Sequence, residues 1–300
     1  MKASERQLHH KSLALINFKG GAGKSTIVAN LAATAAKHFK WRVLILDLDA
    51  NAPMTPLALN GVQGLPTVKD ALAAVGRGEE LVPYLQRAEA MSAWLLPGSV
   101  LDLTPEETRN IPFLLHAAKN AYFAGRSIDL VLIDPPGESK AINGAILSCV
   151  DAVALPLALS STDLAATKIT LQFIKLMQKE REGLPTFLGL IPNRVARKGT
   201  YERIFLDTVL KSGKVLPYLS ESNLIKGSFV REKEGGRMPV HFAPKSAATG
   251  QYIRLLEALN AQKKDRNAYT TELRDYLGVG EGMAVAKVAA HDTLTAEERG

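Results

Sequence analysis

The 300-residue sequence predicts an α/β fold, an open, mostly parallel, twisted sheet with helices on both faces. Three observations predict it. Short runs rich in Val, Ile and Leu alternate with longer stretches of helical period, the sign of parallel strands joined by crossover helices. The strand runs are continuously apolar, as they must be when both faces of a sheet are covered. A glycine-rich turn containing Gly20, Gly21 and Gly23 stands directly between the first strand and the first helix.

Taken in order, the strands are expected at Leu13–Phe18, Arg42–Asp47, Ala93–Pro97, Leu130–Asp134, Ala152–Leu157, Phe187–Pro192 and Val215–Leu216. The helices between them are expected near Lys24–Lys37, Val68–Val75, Pro105–Ala124, Lys140–Cys149, Asp163–Lys179, Tyr201–Leu210, Leu224–Glu234 and Ala247–Ala261. Residues 1–266 read as one domain. Residues 267–300 read as a C-terminal extension, a short helix in "TTELRDYLG" followed by glycines and a partly disordered tail. Within that helix Leu273, Tyr276 and Leu277 form an i, i+3, i+4 triplet, too short an apolar face for a membrane anchor but able to dock on the chain's own domain or on a partner.

Composition narrows the function classes. No apolar run approaches the roughly 20 residues of a membrane-spanning helix, and the N-terminal stretch leads straight into the first strand without the shape of a signal peptide, so a cytoplasmic location is expected. The single cysteine, Cys149, lies in the apolar helical run "AINGAILSCV" and reads as an inert core thiol. The formal charge of +7 is concentrated. Between Arg181 and Arg266, sixteen Lys and Arg stand against eight Asp and Glu, which suggests a polyanionic partner.

The stretch "NFKGGAGKST" carries the chemistry. It follows the template G-x-x-x-x-G-K-[ST], except that Phe18 stands where the first glycine belongs and an extra lysine, Lys19, is present. Glycines there allow backbone N–H groups to surround phosphate oxygens, and the N-terminus of the following helix adds its positive dipole end. Lys24 is then placed for the β- and γ-phosphates and the Ser25 hydroxyl for Mg2+. Such a site also needs carboxylates at neighbouring strand ends. "LDLD" supplies Asp47 and Asp49, and "LIDPPG" supplies Asp134, all at the C-terminal edge where open α/β sheets bind ligands.

With these residues in sequence order, the chain resembles the deviant Walker-A ATPases of the ParA/MinD group, and within it the small ParA-type partition ATPases. The resemblance runs from about Leu13 to Leu259 and includes "IPNR" and "FAPKSAATGQY". It implies a slow ATP hydrolase that dimerises around ATP and Mg2+. It implies that Lys19 is the signature lysine reaching the partner subunit's phosphates, with Gly20, Gly21, Ala22, Gly23, Lys24, Ser25 and Thr26 forming the phosphate loop. Asp49 corresponds to the carboxylate that helps place the attacking water, and Asp134 to the Walker-B carboxylate, both beside the metal. Asn193 corresponds to the adenine-binding asparagine, with Arg194 next to it, while Asp47 is open between holding the loop and holding a metal-bound water. One departure is Ala50-Asn51, where the family continues with Pro-Gln.

The resemblance further implies association with the nucleoid, a ParB-like adaptor that stimulates hydrolysis, and non-specific binding of duplex DNA. The basic residues offered for DNA are Arg197, Lys198, Arg203, Arg231, Lys233, Arg237, Lys245 and Arg254. The main alternative is a MinD-like or protein-cargo-positioning ATPase without a DNA role. Its membrane-cycling form needs a basic amphipathic terminal helix, whereas residues 267–300 hold three Lys and Arg against six Asp and Glu. An iron–sulfur carrier would need a second cysteine per chain, and Lys19 speaks against a small-molecule ligase of the same fold.

Overall fold

The computed structural model describes residues 8–51, 54–58, 64–123, 125–197, 206, 209–210, 214–227, 238–261 and 266–279. Its frame is a seven-stranded sheet in the order β3-β4-β2-β7-β1-β8-β9. The strands are β1 (Ser12–Leu15), β2 (Val43–Asp47), β3 (Gln86–Ala88), β4 (Ala93–Leu96), β7 (Leu130–Asp134), β8 (Ala152–Leu157) and β9 (Thr186–Pro192). All neighbours pair in parallel except the edge strand β3, which runs antiparallel to β4. A separate two-stranded ribbon joins β5 (Tyr122–Phe123) to β6 (Arg126–Ser127). The central strands β1, β2, β7 and β8 are buried at every position, which explains their unbroken apolar composition.

Helices cover both faces. One face packs α1 (Lys24–His38), through Ile27 and Leu31, against a late helix, Ala247–Asn260, through Tyr252 and Leu255. The other face carries α3 (Val68–Gly76), α5 (Ile111–Asn120), α6 (Lys140–Leu147) and α7 (Ser161–Glu180), placing Leu72, Leu114, Ile146 and Ile174 in a second core. The short helices α2 (Thr55–Ala58) and α4 (Pro105–Arg109) complete the first half of the chain.

Several sequence expectations shift. The first strand ends at Leu15 instead of Phe18. The single helix expected over Pro105–Ala124 breaks at Asn110. Pro112 has no N–H to extend the preceding turn, so a new helix starts beside it. Val215–Leu216 forms an isolated bridge to Leu190 and not a strand. The helix expected at Leu224–Glu234 is described from Asn223 to Gly227, and most of the one expected at Tyr201–Leu210 lies outside the described residues. The C-terminal helix spans Arg266–Leu277, with Leu273 and Leu277 fully buried in the second core. There Tyr276 packs its ring 4.6 Å from that of Tyr218.

Candidate functional site

The site forms where β1, β2 and β7 end. Asp47 and Asp134 are register partners on adjacent strands, so two carboxylates end side by side at the C-terminal edge of the sheet. Between β1 and α1 the chain makes the glycine loop, with Gly21 and Gly23 at φ values of 75° and 89°. Gly23 also takes the position before the first residue of α1. A β-carbon there would meet the Asn193 side chain, so glycine is required by both conformation and space. The first turn of α1 carries no acidic side chain and no side-chain cap, which leaves its positive end available to an anion.

The loop is fixed from three sides. The Phe18 N–H donates to Thr170 Oγ1 at 3.1 Å and its ring lies 5.3 Å from that of Phe173, so the residue replacing the template glycine anchors the loop on α7. Asn17 Nδ2 donates to the Pro156 carbonyl at 2.8 Å. Asn193 Nδ2 donates to the Ala22 carbonyl at 2.9 Å, tying the end of β9 to the loop. The segment after β7 also closes on it. A β-carbon on Gly137 would sit 3.1 Å from the Gly20 nitrogen, so the turn after Asp134 passes in direct backbone contact with the loop.

The resulting cavity, of about 600 Å3, is lined by the glycines, Lys24, Ser25 and Thr26 on one side and by Asp49, Asn51 and Asp102 on the other. Lys24 is buried, its ammonium 3.4 Å from the Lys19 carbonyl. Burial lowers its pKa, and the charges of Asp134 and Asp49 oppose that shift. Burial raises the Asp134 pKa to about 7, against the nearby Ser25 hydroxyl and the Lys24 charge, which pull it down, while Asp49 adds to the rise. Asp47 is raised well above the usual carboxylate range by burial and then by Asp134. Asp49 stands partly exposed at the mouth, with its Oδ1 accepting from the Asn51 backbone N–H at 2.9 Å and from Asn51 Nδ2 at 3.0 Å. The Ala50-Asn51 departure is thus a compact turn closed on the carboxylate.

Among the described residues, neither oxygen of Asp134 makes a hydrogen bond of full geometry, although both are buried and the Ser25 hydroxyl stands close enough to lower the carboxyl pKa. Orphaned buried carboxylate oxygens are costly unless something positive completes them. A hard divalent cation with oxygen ligands suits this pair of groups, the Ser25 hydroxyl and the Asp134 carboxylate.

Lys19 points elsewhere. It does not line the phosphate cavity; its Nζ lies 2.5 Å from Asp163 Oδ2 and 2.9 Å from Thr162 Oγ1, at the start of α7. Asp163 is itself buried and held by Ser160 Oγ at 2.5 Å. This grip was not read from the sequence, where Ser160 and Asp163 show only the spacing of a helix start. A second cavity, of about 280 Å3, shares Thr26 and Arg194 with the first and is walled by Asn193, Ser220, Gln251 and Tyr252. Of these walls only Asn193 was identified beforehand. Gln251 Oε1 accepts from both the Ser220 N–H and its hydroxyl, holding that wall in place.

The candidate DNA residues are not gathered by the described structure. Arg197 and Lys245 are exposed, Arg254 is paired with Glu272 of the C-terminal helix, and Lys198, Arg203, Arg231, Lys233 and Arg237 lie outside the described residues. Cys149 is half-buried, with its thiol pushed up to about 11 by burial, which suits an unreactive side chain. Among the described residues no helix is long and apolar enough to cross a membrane.

A family model described as the CobQ/CobB/MinD/ParA nucleotide binding domain matches residues 13–233, spanning the loop, all three carboxylates and Asn193. The protein virC1 of Rhizobium radiobacter is 27% identical over 246 residues, covering 82% of this chain and 89% of that protein. The chromosome-partitioning ATPase Soj of Treponema pallidum is 29% identical over 185 residues, covering 60% of this chain and 68% of the relative. In structure, the septum site-determining protein MinD of Pyrococcus horikoshii, complexed with Mg-ADP, superposes with a TM-score of 0.64 at 20% identity, over 83% of this chain and 96% of that one. The chain belongs to the ParA/MinD family of nucleotide-binding ATPase domains.

Proposed function

We propose that this protein is a slow ATP hydrolase that forms a homodimer around ATP and Mg2+, binds duplex DNA non-specifically in that state, and partitions or positions a cargo. The observation that carries the reading is the placement of Lys19. A lysine of the phosphate loop that stays outside its own phosphate cavity, held by Asp163, is available to a neighbour's once it leaves that carboxylate. The relative named as a chromosome-partitioning ATPase supports the partition role.

In this reading the loop amides, Lys24 and Thr26 hold the phosphates, and Asn193 and Arg194 border the base and ribose. Ser25 and Asp134, with Asp49 nearby, would hold Mg2+, which would supply charge neutralisation for the bound phosphates. Asp49 orients the attacking water. Phosphoryl transfer depends mainly on alignment and charge neutralisation, so a site completed by a second subunit stays slow until dimerisation and an adaptor complete it. The adaptor is ParB-like, and the ATP dimer is cytoplasmic and nucleoid-associated.

Non-specific phosphate contacts bind with a Kd of roughly 10⁻⁴ to 10⁻⁶ M at physiological salt. Joining two basic surfaces in one dimer raises that affinity steeply, so nucleotide control of dimerisation becomes control of DNA binding. The test is light-scattering mass with ATP, with ADP and without nucleotide, each with and without arbitrary duplex DNA. The expected result is a dimer with ATP only, retained on DNA and released at high salt, with Lys19→Ala monomeric yet still binding ATP. Equal DNA binding in both nucleotide states defeats the DNA role, and an ATP dimer indifferent to DNA favours protein-cargo positioning.

A further inference from the structure

The segment that carries Asp49 leaves the sheet at Asp47 and returns at Thr55, and its two ends are joined. Thr55 Oγ1 donates to Asp47 Oδ2 at 3.1 Å. The outgoing limb is fixed by Leu48, whose N–H donates to the Asp134 carbonyl at 3.0 Å. The Asn51 turn then fixes the Asp49 carboxylate itself. Thr55 has one further contact, because its hydroxyl accepts from the Gly98 N–H at 2.8 Å. Gly98 belongs to the stretch after β4, which also brings Asp102 to the wall of the phosphate cavity.

These contacts set a direction. A backbone N–H can only donate, so the hydroxyl must accept from Gly98 and has its single proton left for Asp47. Asp47 is fully buried, and its Oδ1 has no partner among the described residues. The hydroxyl therefore joins a buried strand end, the returning chain and the stretch after β4. From this geometry we infer that Thr55 is a positioning residue for hydrolysis, holding closed the base of the segment that presents Asp49 to the phosphate cavity. Thr55 touches neither phosphate nor metal and acts through the placement of Asp49. The inference rests on the proposed hydrolase reading. A displacement of about 1 Å in a group that aligns water can cost on the order of 100-fold in rate, so a small relaxation of this closure is measurable.

The test compares wild type, Thr55→Val and Thr55→Ser. Valine keeps the shape and removes the hydroxyl, and serine keeps the hydroxyl. Three quantities are read: kcat and KM for Mg-ATP, amide hydrogen exchange in the nucleotide-free protein, and thermal midpoint. Thr55→Val is expected to lose roughly tenfold or more in kcat, with KM within about twofold, and to exchange the Gly98 amide at least about tenfold faster. Thr55→Ser is expected to stay within about twofold of wild type in kcat, KM and amide exchange, with its thermal midpoint unchanged. Wild-type kcat in Thr55→Val, or an equal loss in Thr55→Ser, overturns the inference. So does a Thr55→Val protein whose loss lies in KM together with a lowered thermal midpoint, since that is a structural role alone. If wild type hydrolyses no ATP with Mg2+, the hydrolase reading falls and this inference with it. If wild type hydrolyses and Thr55→Val matches it, only this inference falls.

Discussion

Lys19 and Asp163 are separated by 144 positions in sequence and by 2.5 Å in space, so the loop lysine is engaged within its own subunit. A lysine that is to reach a neighbour's phosphates must first leave this carboxylate. The contact is partly solvated on the lysine side, so it is worth at most about 1 kcal/mol, and it shifts an equilibrium without blocking it. Asp163→Asn keeps the helix-start geometry with Ser160 and removes the charge. The expected outcome is ATP-dependent dimerisation at an ATP concentration about threefold lower, read from mass against ATP titrations. A higher requirement for ATP would show that Asp163 supports the dimer and does not compete with it.

Gly23 tests the loop from the opposite side. Its φ of 89° is strained for any residue with a β-carbon, and that carbon would strike Asn193. Gly23→Ala must either twist the loop or displace the asparagine that holds the Ala22 carbonyl. Nucleotide affinity is expected to fall by more than about tenfold, with a loss of on the order of 1–3 kcal/mol in stability. Titration of a fluorescent ATP analogue and a denaturant midpoint check the two parts separately.

The legible and illegible parts of this protein divide along physical lines. Gly21, Gly23, Lys24 and Asp134 were readable because each belongs to a short stretch whose spacing points to a phosphate and metal site, and Asn193 was readable only through the family resemblance. Strand β3 was not, since Gln86-Arg87-Ala88 has no apolar run and gains its place only by pairing with β4. Strands β5 and β6 hold two residues each, too few for any period to show. The grip of Asp163 on Lys19 and the clasp of Thr55 on Asp47 and Gly98 depend on side chains brought together by the tertiary fold. Ser220 and Gln251 define the second cavity for the same reason, from positions 31 apart.

The buried carboxylate Asp134 gives a pH dependence whose sign follows from burial. Its pKa is raised from 3.8 to about 7, so the nucleotide-free fold keeps a proton that the unfolded chain has already released. That contribution to stability is present in full below about pH 4, declines as pH rises, and is gone above about pH 7, a span on the order of a few kcal/mol. Denaturant midpoints of the nucleotide-free protein are expected to fall from pH 5 to pH 8 and to fall less in Asp134→Asn. Divalent metal requires the ionised form, so Mg-nucleotide affinity is expected to rise with pH and level off near pH 7. A nucleotide-free protein that gains stability from pH 5 to pH 8 as strongly in Asp134→Asn as in wild type would contradict this assignment.

The C-terminal helix is bound by apolar burial, which separates its role from that of the site. Leu273 and Leu277 are completely buried one turn apart, Tyr276 lies against Tyr218, and Glu272 reaches Arg254. The apolar side of this short helix is occupied by its own domain. Truncating a buried leucine removes its transfer free energy and leaves a cavity, together about 2–5 kcal/mol. Leu273→Ala is expected to lower stability by that amount while leaving the ATP affinity of the folded protein within about twofold, because none of the residues lining either cavity belongs to this helix. Arg254→Ala removes only an exposed pair and is expected to cost less than about 1 kcal/mol. If Arg254→Ala also weakens retention on duplex DNA in the ATP state, the arginine contributes to the DNA surface, and a stability loss matching that of Leu273→Ala would instead make the pair part of the packing.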